Sequence, residues 1–159
     1  MFELRDVLTL LWSLCIVLPI ASFIHQLGHT IMALVFGGKG TFTIGRGKTL
    51  FTFKCFTVKR LYFLDSFCQY EGLKYDNRAT HALVYGGGAL FNLLSILILN
   101  FLIIKGVLEP HMFFYQFAYF SSYYVIFSLL PVRYSDHHPS DGMAIYEVIR
   151  HGRKCDPVD

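Results

Sequence analysis

Three windows of this chain contain no Asp, Glu, Lys or Arg: Val7–Gly38, Ala79–Ile104 and Pro110–Val132. They run for 32, 26 and 23 residues. A helix that crosses a bilayer needs about 20 apolar residues. Three windows of that length in one 159-residue chain argue against a soluble protein with three buried helices. The bulk composition points the same way, with 54% hydrophobic and 17% aromatic residues and a mean hydropathy of +0.47. The expectation is a polytopic α-helical membrane protein with three transmembrane helices, spanning about 7–38, 79–104 and 110–132 in a single domain over residues 1–159.

The first window is long for a cleaved signal peptide, and Met1–Asp6 has no basic excess, so it is expected to be retained. Pro19 is expected to kink or break it. With three spans, one side of the membrane holds only Arg5 and Lys105. The other holds Lys39, Arg46, Lys48, Lys54, Lys59, Arg60, Lys74, Arg78, Arg133, Arg150, Arg153 and Lys154. That asymmetry assigns the second side to the cytoplasm and the N-terminus to the outside of the cell membrane. The net charge of +3 is then a matter of topology and of contact with anionic lipid. No basic-aromatic motif suggests a nucleic-acid partner. Cys15, Cys55, Cys68 and Cys155 form no C-x-x-C pair, so neither disulfides nor a thiolate metal site is expected.

Between the first and second windows the pattern changes. Phe42 and Ile44 alternate with Thr41 and Thr43, and Phe51, Phe53 and Cys55 with Thr52 and Lys54. Gly45-Arg46-Gly47 between them predicts a strand, a glycine turn and a strand. Arg60–Leu64 would be a third strand or an interfacial segment. The expectation over about 40–69 is a short membrane-associated hairpin or small sheet, with an aromatic anchor at the headgroups as the alternative. After Pro131 the chain is polar, and a short helix is predicted over about 141–150 with Ser140 or Asp141 as its N-cap.

The polar residues inside the apolar windows carry the chemistry. His25 and His29 share one helix face at i and i+4, and ionisable groups within a membrane mark function by default. H-x-x-x-H on a helix is a zinc spacing, and in zinc proteases the second position is Glu, where this chain has Gln26. Catalytic zinc takes a third protein ligand. The end of the third window returns to the same side, followed by Asp136, His137, His138 and Asp141. Asn92 lies in the second window after Gly86-Gly87-Gly88, and it needs a partner whether its role is structural or functional.

Taken in order, these elements resemble the site-2 protease family of intramembrane zinc metalloproteases in its minimal three-span form. That family carries H-E-x-x-H, then G-x-x-x-N, then N-x-x-P followed by D-G. Here His25-Gln26-Leu27-Gly28-His29 matches the first except at Gln26, and Gly88-Ala89-Leu90-Phe91-Asn92 matches the second. Ser128-Leu129-Leu130-Pro131 followed by Asp141-Gly142 resembles the third, with Ser128 in place of Asn and a longer insertion.

The resemblance implies that His25, His29 and Asp141 bind Zn2+, Asp141 being the ligand that falls in the Asp-Gly element. On chemistry alone His137 or His138 would serve as well. Asn92 would hold the substrate or donate to the developing oxyanion. Position 26 would be the general base, and an amide cannot accept and return the proton. Two explanations for Gln26 stand side by side. One is an engineered inactive variant, favoured because most other elements are intact; the other is a natural pseudoprotease that serves as a client-binding scaffold.

The implied substrate is a membrane-embedded or membrane-tethered protein or peptide, with regulation by membrane partners or prior trimming. An edge of the Thr41–Thr57 segment could pair with an extended substrate, and Phe51, Phe53 and Gly88 are the candidates for substrate contact. A metal-ion carrier is a further class, but it would want a polar path that the outer half of the first window lacks.

Overall fold

The computed structural model of the chain describes residues 3–135 and 138–154. Helix α1 runs from Leu4 to Val35, and within it Ser13–Val17 form a wider π-turn. Pro19 follows directly. Proline has no N–H to give to the preceding turn. The Leu18 N–H bonds five residues back to the Ser13 carbonyl, so the mismatch is absorbed before the ring. The expected break at Pro19 is therefore replaced by a local unwinding inside one continuous helical segment.

Strands β1 (Lys39–Phe53) and β2 (Phe56–Glu71) form an antiparallel pair between α1 and helix α2 (Arg78–Ile104). Asn77 caps α2, its side-chain oxygen accepting from the Thr80 N–H. Helix α3 covers Met112–Leu129. A small antiparallel pair follows, β3 (Arg133–Ser135) with β4 (His138–Pro139), and then helix α4 (Asp141–His151). Asp136 and His137, considered above as ligands, lie outside the described residues, and His138 is described only as backbone in β4.

The three-span architecture is overturned. Among the described residues, two helical segments are long and apolar enough to cross a membrane, Leu4–Val35 and Arg78–Ile104, with mean hydropathies of 2.4 and 2.2. Helix α3 does not qualify. Four tyrosines, three serines and Gln116 occupy its 18 residues and lower its hydropathy. An uncharged window marks the absence of ions; it does not measure how many hydroxyls and amides the helix carries.

The hairpin is also larger than expected, with strands of 15 and 16 residues. Its turn is at Lys54-Cys55, where Lys54 takes φ 45°, and not at Gly45-Arg46-Gly47. Gly45 and Gly47, both at φ 91°, are bends inside β1. A positive φ serves a bend or a turn equally, so the glycines alone do not tell which. At the bend the hairpin folds over on its own base. Phe42–Ile44 pair with Ser66–Cys68 on one side and with Phe56–Val58 on the other. Arg60–Leu64 is part of β2.

Two apolar clusters bracket the middle of α1. Ala33, Tyr70, Val84, Tyr85, Ala144 and Val148 join α1, β2, α2 and α4. Val17, Ala21, Leu99 and Phe117 join α1, α2 and α3. Where α1 and α2 touch, both backbones are bare. A Cβ at Gly28 would strike the Gly87 carbonyl carbon at 2.8 Å, and a Cβ at Gly87 would strike the Gly28 oxygen at 2.8 Å.

Candidate metal centre

The face of α1 that these contacts bury carries Ser22, His25, Gln26 and His29. His25, Gln26 and His29 are each 1% exposed, and Asn92 and Asp141 are fully buried. Asp141 reaches the same place from the far end of the chain. Ser140 caps α4, its Oγ accepting from the Met143 N–H and donating to the Leu130 carbonyl. Gly142 then packs directly on the Leu129 carbonyl, an approach that any Cβ would forbid. The Asp141 side chain is thereby aimed at the two imidazoles.

Ligand atoms of His25, His29 and Asp141 all lie within 4.8 Å of one another. Nε2 of His25 is 3.2 Å from Nε2 of His29 and 3.1 Å from Oδ2 of Asp141, and Nε2 of His29 is 3.4 Å from Oδ1 of Asp141. In a tetrahedral site with metal–ligand bonds of ~2.0–2.1 Å, ligand atoms stand about 3.3 Å apart. Two imidazoles and a carboxylate are also the donor set of many catalytic zinc sites. Oδ1 of Asp141 has no hydrogen-bond partner among the described residues. Across the site, Gly88 presents bare backbone. A Cβ there would lie 2.6 Å from His25 Nε2 and tighter still against His29 Nε2, filling the space between the ligand atoms. Burial alone would raise the Asp141 carboxyl. The facing His29 and His25 imidazoles outweigh it and hold the group below the usual carboxylate range.

The surrounding groups fix the rings. Nδ1 of His29 donates to the Val84 carbonyl at 2.9 Å, so in the neutral ring the lone pair falls on Nε2. Nδ1 of His25 lies 3.3 Å from the Asn92 amide nitrogen. The Tyr124 ring lies over His25 with centroids 5.3 Å apart. Gln26 Nε2 donates to Ser66 Oγ at 2.9 Å, and Ser22 Oγ donates to the same oxygen at 2.8 Å. Ser66 thus ties β2 to α1 beside the centre.

A cleft of about 1010 Å³ leads to His25 and Ser140. Phe63–Phe67 of β2 form one wall and Tyr123, Tyr124 and Phe127 of α3 the other, with Arg46 and Lys59 also lining it. Arg46 is paired with Asp65 at 2.5 Å. Phe51 and Phe53 do not line this cleft; they pack on Phe56 near the hairpin turn, half exposed. Gly88 is at the centre itself. Sequence reasoning missed Ser66, Ser22 and Tyr124. A serine in an alternating strand carries no signal of its own, and Tyr124 was one of four tyrosines with nothing to single it out.

A relative from Bacillus subtilis (strain 168), described as the uncharacterized membrane protein YwmF, is 55% identical to this chain over 154 residues, 97% of each of the two chains. No family model matches the chain. No solved structure matches it.

Proposed function

We propose that this chain, which belongs to the family of the Bacillus subtilis membrane protein YwmF, resides in the membrane and holds a zinc ion in a centre of the site-2 protease type. The observation that carries this reading is the meeting of His25, His29 and Asp141, fully buried and from opposite ends of the chain, around a space kept open by Gly88. Oδ1 of Asp141, buried and without a hydrogen-bond partner among the described residues, is an acceptor that a bound ion would satisfy. Bound there, zinc supplies Lewis-acid polarisation for hydrolysis of a peptide bond.

The chain's own residues define what the site can do. The cleft of about 1010 Å³ between β2 and α3 is where an extended segment of a membrane-embedded or membrane-tethered protein would bind. Its aromatic walls favour apolar side chains. Gln26 sits where a zinc protease carries its proton-transferring Glu and cannot perform that transfer. The centre is therefore a protease site with its hydrolytic rate suppressed. One observation favours a second reading, a client-binding scaffold: Gln26 uses its amide N–H on Ser66, a donation that a carboxylate cannot make. The concentration of Lys and Arg in the hairpin between the two apolar helices supports a cytoplasmic position for the hairpin, with the N-terminus outside.

The test combines metal analysis with one substitution. Purified protein should hold about one zinc per chain, and Asp141→Asn should remove it. Gln26→Glu should raise cleavage of a membrane peptide by ~10²–10⁴-fold with zinc content unchanged. If the zinc-loaded Gln26→Glu protein binds the peptide and leaves it intact, the protease reading falls and the scaffold reading stands.

A further inference from the structure

Helix α4 has an outer face that the metal reading does not use. Its inner face packs through Ala144 and Val148 against Ala33 and Val84. Tyr146 and Ile149 lie outside that contact and are exposed. Beside them a pocket of about 550 Å³ opens between α4 and the end of α3, lined by Leu129, Pro131, Ile145, Tyr146, Ile149 and Arg150. Arg78 sets the level of this pocket. It is the residue on which α2 begins, and its Nη1 donates to the Ile149 carbonyl at 3.1 Å. The last turns of α4 therefore stand where a crossing α2 would leave the hydrocarbon. That is the depth at which tyrosine and arginine side chains meet lipid headgroups.

The rim of the pocket is positive. Arg150 and Arg153 are exposed, and the nearby carboxylates are already engaged. Glu147 is held by Arg133 at 2.6 Å, with Arg153 4.0 Å away, and Asp76 is held by Lys154 at 2.7 Å. Among the described residues no carboxylate pairs with Arg150, whose guanidinium carbon lies 5.9 Å from the centre of the Tyr146 ring. We propose that this pocket binds an anionic phospholipid, with an acyl chain against Ile145 and Ile149 and the phosphate at Arg150. Arg153 adds to the positive field. The apolar lining and the arginine suit the two halves of one such molecule. A zwitterionic lipid offers the same chain without the net negative charge. The site rests on the membrane residence proposed above and is independent of zinc.

The experiment uses the full-length protein in mixed micelles with brominated phosphatidylglycerol or brominated phosphatidylcholine. Trp12→Phe removes the single native tryptophan, and Tyr146→Trp places a fluorescent reporter on the pocket wall. Quenching should show phosphatidylglycerol bound at least about five-fold more tightly than phosphatidylcholine, the effect of one cation on an anionic lipid. Arg150→Gln, at an exposed position, should remove that preference. Native mass spectrometry of the unaltered chain needs no variant to fold, and it should retain phosphatidylglycerol in preference to phosphatidylcholine. Equal quenching by the two lipids, or a preference that survives Arg150→Gln, overturns the site alone. Absence of quenching by either lipid, with the protein running as a dimer, gives this face to a second copy and also overturns it. Release of the protein from membranes by a carbonate wash overturns membrane residence and this site together.

Discussion

Gly86, Gly87 and Gly88 are three identical residues with three different surroundings, and each makes its own prediction. Among the described residues a Cβ at Gly86 meets only Ile145, at 3.8 Å. Gly86→Ala is expected to be neutral or to stabilise by up to about 1 kcal/mol, the ordinary gain of alanine in a helix. A Cβ at Gly88 would take the space between the histidine nitrogens. Gly88→Ala is expected to lower bound zinc from about one per chain to a small fraction, measured by metal analysis on folded protein. The meeting of these three residues was legible in the sequence in part: spacing puts His25 and His29 on one helix face, while Asp141 was singled out through the resemblance, by its place in the Asp-Gly element. The Ser66 hydroxyl that holds Gln26 was not, since its role depends on where a folded-over strand lands.

At the scale of elements, the α1–α2 contact depends on backbones with nothing between them. Gly28→Leu and Gly87→Leu are each expected to cost at least about 1–3 kcal/mol by overpacking, seen as a lower melting temperature in detergent. Helix α4 depends on a different lock. Arg133 of β3 donates to Glu147 at 2.6 Å, and Glu147 is 6% exposed. Arg133→Ala leaves that carboxylate without its main partner while Arg153, 4.0 Å away, compensates weakly. The loss is expected to be about 1–2 kcal/mol, discounted because Arg133 is half exposed, with faster proteolysis of the C-terminal helix as the readout. Element boundaries were less legible than element positions. Gly45 and Gly47 read as a turn and proved to be bends, and Pro19 read as a break and proved to follow a π-turn. In each case the residue announces an irregularity without naming its kind.

For the whole molecule, the outward faces of α1 and α2 are apolar along their length, with Leu8, Leu11, Leu94, Leu97, Ile98 and Phe101 exposed. The protein is expected to stay with the membrane through a carbonate wash at high pH, and its appearance in the supernatant would count against membrane residence. The orientation is testable through cysteine. Cys55 is exposed at the hairpin turn and Cys68 is buried. With Cys155 replaced by Ser, an impermeant maleimide should label Cys55 in cells only after permeabilisation. The membrane character was legible from composition, whereas the number of crossing helices was not, because α3 hides its hydroxyls among aromatic rings.

One contact has a reach beyond its size. Gly142 rests on the Leu129 carbonyl, so the distance from the end of α3 to the start of α4, where Asp141 sits, is set by two main chains in touch. The protein gauges this spacing with a ruler that no rotamer can lengthen. Any lateral tilt of α3, whatever its origin, must carry Asp141 with it, and the distance from that residue to His25 and His29 becomes a report on the posture of a helix.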